Sequence, residues 1–337
     1  MQAIVFQEEN NFDSLQLKEE PYPEPASGEV TVQIKASALN HRDVWITKGL
    51  YPNIKVPVIL GSDGAGIVHE IGKGVSEDWL NREVVIHPSL NWGSNPRVQE
   101  NDYKIFGLPD NGTQAEFVKV PASNLFEKPA YLSFEEAAAI PLGGLTGYRA
   151  LFTQGKLTGE DTLLITGIGG GVATLMLKMA LVIGADVLVT SGINEKIEKA
   201  TQLGAQGGAN YENENWVDEI RQLAGDRGVN FIVDSAGGPG FDQLISLINP
   251  GGRLVFFGAT AGNPRKLNLR RIFWKQLTIQ GTTMGNETDF TNMVDLFNGH
   301  KIEPVIDGIY PFSRYRDAYK RMMNGEQFGK IVLTPEN

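Results

Sequence analysis

The sequence predicts an α/β fold: a doubly wound parallel sheet preceded by a strand-rich domain that reads as a distorted β-barrel. Three observations carry this expectation. A glycine turn, Gly167-Ile-Gly-Gly-Gly171, lies between an apolar run and a helical apolar pattern. Strands and helices then alternate to about Met284. Residues 1 to about 124 lack that rhythm and show short strands separated by Pro and Gly clusters such as Pro21-Tyr-Pro-Glu-Pro25.

In chain order, Ala3–Phe6, Leu15–Lys18, Val30–Ala36, Gly66–Ile71 and Val84–His87 read as strands. Ser133-Phe-Glu-Glu136 is a capping box that starts a helix running into Ala139, and a second helix is expected from near Gly144. Leu163–Ile165 is the first strand of the parallel sheet. After the glycines, Val172, Leu175, Met176, Met179, Ala180 and Ile183 line one helix face. Val187–Thr190, Phe231–Asp234, Arg253–Phe257 and Leu277–Gln280 continue the sheet, with helices at Asn194–Leu203 and Phe241–Ile248. Phe290–Phe297 reads as helix, and past Gly299 the pattern turns strand-like as far as Leu333. The expected domains are 1–124, 125–299 and a return to the first domain over 300–337.

Composition narrows the function classes. Thirty basic and 40 acidic residues leave a net charge of -10, which disfavours nucleic acid or an acidic membrane surface as partner. The basic cluster Arg265, Lys266, Arg270 and Arg271 reads as a solvated face. With no cysteine there is no disulfide and no thiolate metal site. No apolar run approaches a membrane span, and Met1–Phe6 reads as a strand start rather than a signal peptide, so the cytoplasm is the expected compartment.

The glycine turn has the context a dinucleotide fingerprint requires. Gly167 allows the tight turn, Gly170 and Gly171 leave backbone N–H groups open to a pyrophosphate, and Val172 begins the helix. Cofactor choice is argued from the end of the second strand, where an NAD site usually carries an acidic residue for the ribose 2′-OH. Here it reads Thr190-Ser-Gly192; Asp186 lies at the strand's other end. Ser191 can donate to a 2′-phosphate and Lys196 can neutralise it, so NADP(H) is expected over NAD(H), with Glu195 as the contrary sign.

Ala38-Leu-Asn-His-Arg-Asp-Val-Trp45, Leu60-Gly-Ser-Asp-Gly-Ala-Gly-Ile-Val68, Pro141-Leu-Gly-Gly-Leu-Thr-Gly-Tyr148 and the Gly-Gly-Val-Ala turn occur in that order. Together they resemble the medium-chain dehydrogenase/reductase superfamily, and within it the quinone-oxidoreductase-like and zinc-binding dehydrogenase branches. The resemblance runs from Met1 to Leu333. It implies a GroES-like catalytic domain completed by the C-terminal segment, and a Rossmann domain. It matches Tyr211 to a residue covering the adenine-ribose phosphate, and Thr146, Gly258 and Lys330 to positions lining the nicotinamide end.

Departures from the zinc members set the expected chemistry. The resemblance puts Asn40, Ser62-Asp63 and Leu142 at their catalytic zinc positions; Asn, Ser and Leu are poor ligands, Asp63 alone cannot form a site, and the lobe Ser89–Gly107 has no cysteine for a structural zinc. The four histidines, His41, His69, His87 and His300, are scattered and read as structural or surface residues. No metal is expected. Without a Lewis acid, hydride addition to a conjugated C=C is a plausible reaction, with hydrogen-bond donors stabilising the enolate. Asn40 is the expected donor. Arg42 can supply positive charge, Asp43 orients Arg42 or caps the turn, and Trp45 either walls a pocket for a flat substrate or fills the core. The expectation is an NADPH-dependent reductase of quinones or α,β-unsaturated carbonyls. An alcohol or aldehyde dehydrogenase, and an NADPH-binding protein with little turnover, stay open beside it. An uncharged edge strand at Leu277–Thr283 leads to the expectation of a homodimer.

Overall fold

Period-two burial builds the first part of the chain. β1 (Gln2–Phe6) pairs antiparallel with β2 (Leu15–Glu19). β3 (Glu29–Ala38) buries Val30, Val32, Ile34, Ala36 and Ala38. The helix α1 (His41–Thr47) follows at once, after Asn40 with extended backbone. β4 (Val58–Ile59) pairs with β1, and β5 (Asp63–Ile71) runs antiparallel along β3. Only glycine fits at 66, because a Cβ there would meet the Gln33 carbonyl oxygen at 2.0 Å. Then come β6 (Glu83–Ile86), the short pair β7 (Ser89–Leu90) and β8 (Lys104–Ile105), β9 (Phe117–Pro121) and β10 (Leu125–Glu127). The expected capping box starts α2 (Phe134–Ala138): Ser133 Oγ accepts the Glu136 N–H, and the Glu136 carboxylate accepts the Ser133 N–H. The next helix begins earlier than near Gly144; α3 covers Pro141–Tyr148, because proline suits a first helical turn, and a π-helical stretch, Arg149–Gln154, follows.

The parallel sheet is built from β11 (Thr162–Ile165), β12 (Asp186–Ser191), β13 (Gly207–Asn210), β14 (Phe231–Asp234), β15 (Arg253–Phe256) and β16 (Thr278–Gly281). The helices α4 (Gly171–Ile183), α5 (Asn194–Gln202), α6 (Trp216–Ala224), α7 (Phe241–Leu247) and α8 (Leu269–Trp274) connect them. The order is β13-β12-β11-β14-β15-β16, all parallel, which reads 3-2-1-4-5-6 within the sheet. That is the order of a dinucleotide-binding Rossmann fold. β11 is buried along its whole length, as expected for a strand covered on both faces. β13 escapes sequence reading because Gly207-Gly-Ala-Asn has no β-branched residue; pairing with β12 makes it a strand.

The chain then forms α9 (Glu287–His300), β17 (Ile306–Pro311), α10 (Tyr315–Met323) and β18 (Lys330–Thr334). β18 lies between β3, antiparallel, and β17, parallel, in a sheet ordered β10-β6-β5-β3-β18-β17 with β9 also on β3. The expectation of strand alone past Gly299 needs correction. Tyr315, Ala318, Tyr319 and Met322, buried at helical spacing, make α10.

The computed structural model describes residues 1–336, and they divide into two units. The first holds 1–143 and the segment from Gly285 onward; the second is Gly144–Met284. The divisions expected at 124/125 and 299/300 therefore shift. Leu125 belongs to β10, paired with β6, and Phe290 of α9 is buried against His87 and Phe126. In the first unit, Val30, Val32, Val68, Val84, Ile86 and Val120 form one core cluster. Ile4, Phe6, Leu39, Ile46, Phe312, Tyr319 and Leu333 form another. The second unit has its own core around Leu164, Leu188, Ile232, Ile245 and Leu254.

Candidate active site and dinucleotide turn

In the first unit, the end of β3, the start of β5 and the start of β18 bring Asn40, Asp63 and Lys330 together. The Lys330 ammonium donates to Asn40 Oδ1 and to Asp63 Oδ2, each at 2.8 Å. Asn40 Nδ2 donates to the same Asp63 oxygen at 2.9 Å. The other Asp63 oxygen accepts the Leu142 N–H at 2.7 Å. The ion pair is buried, with side chains 3% and 0% exposed for Lys330 and Asp63. Burial at this level makes each charge depend on the other, since neither is solvated.

Arg42, on the first turn of α1, is buried beside this group. Its Nη1 donates to Ser62 Oγ and, at 2.8 Å, to the Phe106 carbonyl oxygen. The guanidinium lies 4.9 Å from the Tyr51 ring centroid. Asp43 is also buried, and one of its carboxylate oxygens accepts the Asn40 N–H at 2.8 Å. Of the two roles expected for Asp43, this contact fits the cap. Burial pushes the Asp43 carboxyl up to about 6; the Asp63 charge adds to that, while Arg42, the Asn40 N–H and Lys330 oppose it. Trp45 is half-buried on α1, with Lys48 Nζ 5.7 Å from its ring.

These residues include the positions that the resemblance matches to zinc ligands. Asn40 and Asp63 both hold the Lys330 ammonium, Ser62 holds Arg42, and residue 142 offers only its N–H. A zinc ion needs several unprotonated donors facing one point, so this set does not fit one. Among the described residues, no group of three or more His, Asp or Glu is spaced to hold a metal. Of the histidines, His41, His69 and His300 are exposed, and only His87 is buried. Burial alone pushes the His87 imidazole down to about 3, so it is neutral at ordinary pH.

The second unit carries the glycine turn. Gly167 and Gly169 have φ of +66° and +122°, the left-handed region that favours glycine. A Cβ on Gly170 would meet nothing within 4 Å, and no side chain caps the N-terminus of α4. Open space and free first-turn N–H groups fit a pyrophosphate. At the C-terminal end of β12, Ser191 Oγ accepts the Ile193 N–H at 3.1 Å, which leaves the hydroxyl hydrogen to donate. Lys196 lies against the turn: a Cβ on Gly169 would be 2.6 Å from its Cδ. Tyr211, 48% exposed, lies over Gly192, where a Cβ would be 2.9 Å from its hydroxyl. Ser191, Lys196 and Tyr211 thus gather beside the turn. A Cβ on Gly258 would sit 2.6 Å from the Ser235 carbonyl oxygen, so the loops after β14 and β15 pass closely. Thr146 is buried, its hydroxyl 3.7 Å from Met284 Sδ. Among the expected cofactor residues, Thr146, Gly167, Gly170, Gly171, Val172, Ser191, Lys196, Tyr211 and Gly258 lie in the second unit. Lys330 lies in the first, bonded to Asn40.

Sequence reasoning set Asp63 aside because one carboxylate cannot hold zinc. An Asp between glycines and apolar residues at the start of a buried strand demands a cation, and the Lys before Ile331-Val-Leu333 is one; that pairing was the available signal.

A parallel sheet of this order with a glycine turn, joined to a strand-rich unit completed by the chain's last strand, defines a nicotinamide-dinucleotide oxidoreductase fold. The family description "Alcohol dehydrogenase GroES-like domain" matches residues 26–130, and "Zinc-binding dehydrogenase" matches residues 171–299. The chain is 33% identical over 338 residues to the zinc-type alcohol dehydrogenase-like protein YogA of Leptosphaeria maculans, covering 95% of this chain and 94% of that one. It is 27% identical over 341 residues to an acryloyl-coenzyme A reductase of Metallosphaera sedula, covering 99% and 100%. The crystal structure of an NAD-dependent alcohol dehydrogenase is 35% identical and superposes with a TM-score of 0.93 over 99% of both chains. The chain belongs to the medium-chain dehydrogenase/reductase superfamily and is an oxidoreductase of that type.

Proposed function

We propose that this protein is a zinc-independent, NADPH-dependent reductase of quinones or α,β-unsaturated carbonyl compounds. The observation that carries the reading is the buried Asn40–Lys330–Asp63 group: the resemblance matches Asn40 and Asp63 to positions of the catalytic zinc site, and their contacts with Lys330 do not suit a zinc ion. The dinucleotide, when bound, supplies the hydride. Hydride addition at the β-carbon moves the C=C electron pair onto the carbonyl oxygen, and a solvent proton at the α-carbon completes the reduction. The group required of the protein is a donor to that oxygen, and Asn40 Nδ2 is suited to it. The acryloyl group in the name of the Metallosphaera sedula relative is itself an α,β-unsaturated carbonyl.

NADPH is favoured over NADH by Ser191 and Lys196 beside the glycine turn and by the lack of a carboxylate at the end of β12. The alcohol dehydrogenase names of two relatives favour a second reading, oxidation of an alcohol in the same fold. A third reading is an NADPH-binding protein with little turnover. NADPH absorbance followed with a quinone, an enone and an aldehyde separates them. Consumption with the first two supports the proposal, with the aldehyde alone supports the second, and with none supports the third.

A homodimer in the cytoplasm completes the reading. β16 is the edge of the parallel sheet, and among the described residues no strand pairs with its outer side. Just before it, Phe273 and Trp274 of α8 are 64% and 83% exposed. Pairing of β16 with its copy across a two-fold axis would satisfy the edge and cover apolar surface beside it.

A further inference from the structure

We propose that Asp234 is the positioning residue of the dinucleotide turn. Its carboxylate ties the start of the turn to the loop after β14, and so fixes the crevice that receives the cofactor. The proposal rests on the dinucleotide reading of the turn. It adds a residue that acts on the cofactor through the backbone.

Topology places Asp234 at the crevice. In the order β13-β12-β11-β14-β15-β16 the chain winds to one side from β11 and to the other from β14. Ligands of open α/β sheets sit where the strand order reverses, outside the carboxyl ends of the strands. Asp234 is the last residue of β14, and Thr166 follows the last residue of β11, directly before Gly167. The two meet across the reversal. Thr166 Oγ1 donates to Asp234 Oδ1 at 2.6 Å. Its distance to the Val233 carbonyl oxygen is 3.5 Å, too long to compete for the one hydroxyl hydrogen. The other carboxylate oxygen, Oδ2, accepts the Gly237 N–H at 2.7 Å. The Asp234 carbonyl oxygen accepts the Phe257 N–H at 3.1 Å. One residue thus joins the exits of β11, β14 and β15.

The residue type follows from these contacts. Asp234 is 2% exposed, so both of its carboxylate oxygens need donors from the protein. The donors come from two different segments, one to each oxygen. An amide in its place would accept from one donor and set its NH2 against the other.

The loop that the carboxylate holds is a wall of the turn. A Cβ on Gly167 would lie 3.7 Å from Ser235 Oγ. The loop after β15 backs this wall: the Ala261 N–H donates to the Ala236 carbonyl oxygen at 2.8 Å, and the Gly238 N–H to that of Gly262 at 2.7 Å. With the wall fixed, the Asp234–Thr166 bond holds the turn against it. A turn already held binds its ligand without an ordering cost. Because the effect runs through the backbone and not through the 2′-phosphate, it applies equally to NADPH and NADH.

The test is titration calorimetry of full-length protein with each dinucleotide. Asp234→Asn and Thr166→Val are each expected to raise both Kd values about tenfold or more, by the same factor for the two cofactors. Thr166→Ser, which keeps the hydroxyl, is expected to stay within about threefold of wild type. The double variant is expected to bind no more than about threefold worse than the weaker single one, since both changes break one bond. A purely structural role would not couple the two residues in this way. If circular dichroism finds Asp234→Asn unfolded, Thr166→Val and Thr166→Ser decide. Folded variants that bind as wild type, losses that multiply in the double variant, or a loss confined to NADPH overturn the proposal. Wild-type protein that binds neither dinucleotide removes the reading of the turn itself, and the proposal with it.

Discussion

His87 makes the first unit sensitive to acid, and the effect can be worked from its surroundings. The ring is buried between Phe126 and Phe290, and among the described residues Nε2 has no hydrogen-bond partner. Burial lowers its pKa from 6.5 to about 3. Between those values the unfolded chain takes up a proton that the folded chain refuses. A depressed histidine pKa therefore leaves stability intact above about pH 7 and removes it as pH falls below 6.5, until the folded ring titrates near 3. At about pH 5 the unfolded state gains roughly 2 kcal/mol from this one group, and at about pH 7.5 almost nothing. His87→Leu abolishes the difference. Its loss of the 3.5 Å approach of Asn124 Nδ2 to Nδ1 is a small constant offset, because Asn124 Nδ2 also donates to the carbonyl oxygens of His87 and Ser89. The assay is urea unfolding of wild type and His87→Leu at the two pH values, followed by far-UV circular dichroism. The variant is expected to lose about 2 kcal/mol less than wild type on going from the higher to the lower pH. Equal losses would refute the claim that His87 is held neutral by burial.

Three further outcomes are expected. Purified protein treated with a chelator should contain no stoichiometric zinc by elemental analysis; about one zinc per chain would contradict the reading of Asn40, Ser62 and Leu142. Lys196→Ala should weaken NADPH binding by roughly 1–3 kcal/mol and leave NADH nearly unchanged in titration calorimetry. Equal loss for both cofactors, or a wild type that prefers NADH, rejects the 2′-phosphate assignment. Ile279→Pro removes a ladder N–H from β16 and should leave a folded monomer in sedimentation; wild type sedimenting as a monomer near 36.9 kDa ends the dimer proposal.

The second unit's parallel sheet was largely legible in the sequence because its signals are local. Each buried strand is a short apolar run, and α4 announces itself by helical spacing after glycines that only a tight turn needs. Gly167 has a left-handed φ, and a Cβ on Gly170 would meet nothing within 4 Å. The capping box at Ser133 was equally local. β13 and α10 were not legible. The first has no strand-forming residue and exists through its pairing with β12. The second carries its apolar residues among charges in a stretch read as strand.

By itself, the sequence determined that the chain has a glycine turn between a strand and a helix and lacks thiols, and the resemblance it carries matches Asn40, Ser62 and Leu142 to zinc-ligand positions. Those are properties of residue type and of spacing within one strand-turn-helix unit. Only the tertiary structure decided what Lys330 does. It stands 267 residues from Asp63 and 290 from Asn40, and no periodicity relates positions so far apart. β18 slots between β3 and β17, and that register carries the ammonium into a region too dry for a lone carboxylate. A buried charge must find its counterion wherever the chain brings one, so the pairing is a consequence of topology.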